Sequence, residues 1–167
     1  MEKVVLKGKY LLKTSIVIEA SRQQVWRLLE DFDNVYVWAP AVTHSSCMDA
    51  SSPGVGHARL CRIKGIGSLE EVITHWVEGV GFIYQVTPIG PLGESVSRWR
   101  LKTLDRYRTE VQVELAYDLR FGYLGLIMHK FIMRKKLAAS LEETLLAMKA
   151  HVEAETIAVQ AEPELTL

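Results

Sequence analysis

The chain is poor in cysteine: Cys47 and Cys61 are the only two in 167 residues. They form no C-x-x-C pair, which excludes a disulfide framework and a zinc ribbon and points to a reducing, cytoplasmic setting. Charge of one sign is absent as well. Twenty Lys and Arg balance twenty Asp and Glu, so no basic field gathers nucleic acid. Long apolar runs are missing, and none approaches the roughly 18 residues of a membrane span. Residues 1–13 interleave Lys3, Lys7, Lys9 and Lys13 with short apolar stretches and lack the apolar core of a signal peptide. Proline and glycine are modest, at 5 and 11, which argues against a disordered or collagen-like chain. What remains is a soluble globular chain long enough to bury a full core.

Thr14 to Glu19 is short and β-branched, as a strand requires. Ser21 is a natural N-cap, and after it Val25, Leu28 and Leu29 recur at helical spacing with Trp26 beside them. Asp31 to Asn34 can cap a second short helix through Trp38, which Pro40 stops. From Thr43 to Leu119 the helical period disappears and turn-forming clusters separate strand-length segments. The clearest strand is Thr109 to Leu119, where Val111, Val113, Leu115 and Tyr117 alternate with Gln112, Glu114 and Asp118. Phe82, Tyr84 and Val86 alternate in the same way, as do Ser95, Ser97, Trp99 and Leu101. About seven strands in an antiparallel meander follow. Gly125 to Val152 returns to helical period and predicts a helix of roughly 42 Å, long enough to cross the sheet. Residues 1–152 therefore form the folded unit. Residues 153–167, with four Glu and no Lys or Arg, read as a frayed acidic tail.

The order strand, two short helices, meander and long helix, with Ser15 to Ser21 leading to Val25-Trp26, Leu29 to Asp33, Pro53-Gly54-Val55-Gly56, Glu70-Glu71-Val72 and Ser97 to Leu101, resembles the START/SRPBCC superfamily. The likeness runs from about Leu12 to Val152 and is strongest to its polyketide cyclase/dehydrase and lipid-transport branch. The resemblance implies an α+β helix-grip fold: a curved antiparallel sheet gripping the long C-terminal helix, with a largely apolar cavity between them. It implies no single reaction. Carried onto this sequence, the ligand-binding positions are Phe82, Tyr84, Trp99, Leu101, Val113, Leu115 and Tyr117 from the sheet, with Ile127, Met128 and Phe131 from the helix. Aromatic residues with polar tips on one interior favour a pocket over a solid core.

Chemistry beyond binding is sparse. His57 and Cys61 stand roughly 13 Å apart at strand rise and cannot share an ion; no metal or other cofactor is expected. The glycine pairs at 54/56, 65/67 and 79/81 lack the Lys and helix of a phosphate loop and are turns. Alternation groups Glu70 with Val72, Thr74 and Trp76, and Glu71 with Ile73 and His75, and leaves open which set faces inward. The companions of Glu70 suit an interior better. Glu70, Tyr84 and Tyr117 are the proton-transfer candidates if the protein is an enzyme. One of Arg59, Arg62, Arg98 and Arg100 can point inward to hold a ligand oxygen. The segment 121–136 carries apolar residues and Lys130, Arg134, Lys135 and Lys136 without an acid, a pattern that fits membrane or protein contact.

The expected function is carriage or presentation of a polyketide, sterol, quinone or acyl lipid. A cyclase, dehydratase or aromatase working in the same cavity is the alternative, and a protein-interaction module without ligand is the second.

Overall fold

A computed structural model describes residues 4–48, 52–120, 122 and 133–161. Strand β1 (Tyr10–Ile18) leads into helix α1 (Arg22–Glu30) and a 3-10 segment (Phe32–Val37). Six strands follow: β2 (Val42–Cys47), β3 (Ala58–Ile63), β4 (Gly67–Val77), β5 (Gly81–Val86), β6 (Leu92–Thr103) and β7 (Thr109–Leu119). Helix α2 (Arg134–Ala161) closes the described chain. The seven strands form one antiparallel sheet in the order β1-β7-β6-β5-β4-β3-β2. This is the helix-grip architecture that the sequence pattern implies. No helix among the described residues is long and apolar enough to cross a membrane.

Local chemistry sets the boundaries. Ser21 caps α1 in a full capping box: its hydroxyl accepts from the Gln24 amide and the Gln24 side chain accepts from the Ser21 N–H. Helix α1 then turns Val25, Trp26 and Leu29 onto the sheet. Helix α2 buries Leu145, Met148 and Val152, one stripe at helical spacing, in the same core. The Lys149 ammonium donates to the Val17 carbonyl at 2.7 Å, and the Glu153 carboxylate accepts from the Glu19 N–H at 2.8 Å. These bonds carry α2 past Val152 to Ala161, where the acidic sequence predicts a frayed tail. Most of the apolar stretch in 121–132 lies outside the described residues; Arg134, Lys135 and Lys136 are exposed at the start of α2.

Two features of the sheet position the interior. A bulge between Ile73 and His75 changes the phase of β4. Leu69, Glu71 and Ile73 are buried before it, and Trp76 turns back to the core after it, stacked on Phe82 at 5.6 Å. The second is Gly81, which begins β5 at φ +148° with no room for a side chain; a Cβ there would lie 2.1 Å from the Trp99 carbonyl oxygen. Gly79, in the adjoining turn, has φ +67° and open space around it.

The two glycines therefore respond differently to substitution. Gly79→Ala is expected to cost about 1 kcal/mol for its left-handed backbone alone. Gly81→Ala should cost about 2 kcal/mol more, because the strand pair must also separate. Urea denaturation of the two variants checks this, and equal losses would contradict the close packing at Gly81.

Candidate functional site

Between the inner face of the sheet, the 3-10 segment and α2 lies a cavity of about 220 Å³. Its walls are mainly apolar, with Phe32, Trp38, Phe82, Tyr84 and Trp99 among the aliphatic side chains. Phe32 meets Phe82 and Tyr84 edge-on at 5.7 and 5.8 Å, and Trp38 meets Trp99 at 6.1 Å. Edge-to-face packing of this kind holds large rings in fixed orientations. Leu69, Val86 and Leu141 are part of the aliphatic lining.

Within this lining sits a buried ion pair. β3 and β4 form a hairpin in which residues equidistant from Gly65 face each other, so Arg59 lies directly opposite Glu71. Both are more than nine-tenths buried, and both line the cavity. The Arg59 guanidinium donates through Nε to Glu71 Oε2 at 2.6 Å and reaches the same oxygen from its Nη2 at 2.5 Å. Its Nη1 donates to the Phe32 carbonyl, and its Cζ lies 3.6 Å from the centre of the Phe32 ring. Burial works against the Arg59 charge, but Glu71 outweighs it and holds the guanidinium protonated.

Neighbouring groups take their character from burial and from this pair. Cys61, the next inward residue of β3, directs Sγ toward Glu71 Oε2 at 3.7 Å. Burial, reinforced by the Glu71 charge, pushes its thiol up to about 12. Tyr84 on β5 is likewise raised by burial and by Glu71, so it stays a neutral phenol and can donate a hydrogen bond at neutral pH. The Trp99 indole N–H donates to Ser97 Oγ at 3.1 Å and Tyr84 Oη at 3.3 Å. A second clamp lies beside the cavity. His57 Nε2 and Asp33 Oδ1 are 2.8 Å apart, and the Ser45 hydroxyl donates to the Asp33 carbonyl. With the bond from Arg59 to Phe32, these contacts tie the 3-10 segment to β2 and β3.

The structure sorts the sequence-derived candidates. Phe82, Tyr84, Trp99 and Leu115 line the cavity. Leu101 and Val113 are buried in the surrounding core without lining it. Ile127, Met128 and Phe131 lie outside the described residues. Tyr117 is fully buried but does not join Tyr84 at the cavity; its register partner Tyr10 on the edge strand stacks on it at 5.5 Å. Glu70 is corrected outright: it is exposed, and Glu71 is the inward carboxylate. The inference from Trp76 to Glu70 fails because the β4 bulge puts them in different phases. Of the four arginines, Arg59 is the inward one that lines the cavity. Sequence reasoning also missed Phe32 and Trp38 as lining residues, since their segment signals only a short helix. The turn at Gly65 was the readable sign of the Arg59–Glu71 pairing.

Comparison with known proteins agrees with this geometry. Residues 11–153 match the family model described as polyketide cyclase / dehydrase and lipid transport. No curated protein matches the sequence. A START superfamily protein from Mycobacterium smegmatis superposes with a TM-score of 0.70 at 15% identity, covering 86% of this chain and 97% of that one. A protein from Thermus thermophilus gives 0.71 at 16%, covering 87% and 99%. The Zhui aromatase/cyclase from a Streptomyces species gives 0.69 at 14%, covering 88% and 95%. At these identities the shared property is the fold.

Two measurements follow from the buried pair. Glu71→Gln leaves the Arg59 charge buried without its counter-ion and should cost about 3–5 kcal/mol in urea denaturation. The double change Arg59→Met with Glu71→Leu should lose clearly less; a single change without effect would contradict the buried geometry. In the native protein at about pH 8, a disulfide reagent should label exposed Cys47 rapidly and Cys61 only on unfolding.

Proposed function

As this chain belongs to the polyketide cyclase / dehydrase and lipid transport family, we propose that its cavity binds a hydrophobic or aromatic small molecule with an oxygen-bearing end set against Arg59, Glu71 and Tyr84. The observation that carries this reading is the placement of a buried ion pair and a neutral phenol in a cavity lined mostly by apolar side chains, aromatic rings among them. Apolar walls supply affinity, at about 25 cal/mol for each Å² buried before association costs are subtracted. A few fixed polar groups supply orientation. A cavity of about 220 Å³ holds roughly seven waters at about 30 Å³ each, which suits one or two fused rings or a short acyl chain. Sterols and long acyl lipids require the cavity to widen.

A cyclase or dehydratase activity is the second reading, and Tyr84 is what favours it. A phenol held protonated in a dry site can donate to a ketone oxygen as negative charge develops there. Of the three proton-transfer candidates, Tyr84 alone lies on the cavity wall. Catalysis on this reading depends on a poly-ketone folded by the aromatic walls, with Arg59 donating to a second oxygen.

A thermal-shift series tests the binding proposal, using bicyclic aromatics, quinones, fatty acids of increasing length and sterols. Binding to the native state raises the melting temperature. The expected result is stabilisation by compact oxygen-bearing aromatics or short acyl chains, with affinity reduced about tenfold in Tyr84→Phe through loss of one hydrogen bond. Absence of any stabilisation, or stabilisation unchanged in both Tyr84→Phe and Trp99→Ala, would overturn the assignment. Turnover of a poly-ketone that disappears in Tyr84→Phe while binding persists would select the enzyme reading.

A further inference from the structure

The two oxygens of Glu71 are occupied unequally. Oε2 takes every bond of the ion pair: Arg59 Nε at 2.6 Å, Arg59 Nη2 at 2.5 Å and, more loosely, the Cys61 thiol at 3.7 Å. Oε1 accepts no hydrogen bond from any described residue. It is not walled off either. Among the described residues, the side-chain nitrogen and oxygen atoms that are both sealed and unpartnered are Trp26 Nε1 and Arg98 Nε, and neither residue lines the cavity. The Glu71 side chain keeps 11% of its surface open. Because Glu71 shares the inner face of β4 with Leu69 and Ile73 and lines the cavity, that opening faces the ligand space.

A carboxylate oxygen is an acceptor only, and one left without a donor in a mainly apolar wall is costly. Asp31, the other carboxylate among the described lining residues, is in a different position: it is exposed at the end of α1 and accepts from the Asn34 side chain at 2.8 Å. Charge points the same way. Arg59 is the one cation among the described lining residues, and Glu71 already neutralises it. The polar end of the cavity therefore has a vacant acceptor and no surplus positive charge. Tyr84 supplies the complementary donor on the same wall; its oxygen accepts from Trp99 Nε1 at 3.3 Å, and its proton can go to a ligand oxygen.

We propose that the cavity selects a neutral hydroxyl compound, a phenol or alcohol on a compact apolar frame, whose O–H donates to Glu71 Oε1 and whose oxygen accepts from Tyr84. This rests on the binding reading given above and narrows its oxygen-bearing end to a hydrogen-bond donor. An ether or ketone leaves Oε1 unpaired. A carboxylate brings a second negative charge beside Glu71 in a water-poor setting, where like charges repel strongly. Glu71 is thus the specificity-determining residue, since a site built around a buried polar group rejects the analogue that fails to pair with it.

Calorimetric titration at neutral pH with four compounds on one ring system tests this: naphthol, its methyl ether, naphthalene and the naphthoate anion, all substituted at the same ring carbon. Two fused rings suit a cavity of about 220 Å³. Naphthol is expected to bind tightest, about tenfold or more above the ether, with naphthoate the weakest. The ether also carries an extra methyl group, so the comparison is repeated in the Arg59→Met, Glu71→Leu double variant, where apolar side chains replace the pair. There the advantage of naphthol over the ether should disappear while naphthalene still binds; an unchanged advantage would show that shape sets the preference and would overturn the proposal. In Glu71→Gln the Arg59 charge loses its counter-ion, and naphthoate should gain about tenfold or more. Equal affinity for naphthol and the ether in the wild type, or naphthoate binding more tightly than naphthol, would refute the hydroxyl assignment and leave the binding cavity standing. Failure of all four compounds, naphthalene included, would defeat the binding reading and this one with it.

Discussion

Placing Arg59 and Glu71 in an apolar interior constrains much else in this structure. Each charge alone would be several kcal/mol too costly to bury. They are tolerated because the hairpin register sets them face to face and because the Phe32 carbonyl and ring take up the rest of the guanidinium. The pair is therefore also a fastener. It fixes the 3-10 segment over the sheet, next to the His57–Asp33 contact and the bond from Ser45, and so helps hold one wall of the cavity in place. Burial, reinforced by the Glu71 charge, keeps Cys61 a thiol and Tyr84 a phenol. A hydrophobic pocket thereby acquires a polar end with defined donors.

Strand alternation divides the sheet into two chemical surfaces. On β6, Ser95, Ser97, Trp99 and Leu101 face the core while Arg98 and Arg100 face outward. The inner surface is largely apolar and is ordered by ring contacts between Phe32, Phe82, Trp38 and Trp99. The outer surface is held by ion pairs, and the row from Lys13 through Glu114 to Arg98 links three strands.

Much of the fold was legible because it rests on local signals: the capping serine, the period-two strands, and the Gly-containing turns that space them. Phe82, Tyr84, Trp99 and Leu115 were legible as lining residues because their strands run in regular phase. Glu70 was misread because one bulge in β4 reverses that phase, and a bulge leaves no mark in hydrophobic alternation. Tyr117 was misplaced for a different reason: its neighbour across the sheet is Tyr10, and only tertiary pairing shows that an aromatic ring covers it. The helix beyond Val152 was missed because its support comes from distant partners, Lys149 to Val17 and Glu153 to Glu19, which overcome the weak local pattern.

Native mass spectrometry of the protein, followed by solvent extraction and identification of what it carries, tests the central claim most directly. The account predicts a stoichiometric, compact apolar molecule with at least one oxygen at its end, lost from the Arg59→Met, Glu71→Leu double variant while that variant stays folded. A double variant that retains the same molecule at the same occupancy would contradict the role given to the buried pair, and a wild-type protein that carries nothing and takes up no apolar ligand would contradict the binding cavity itself.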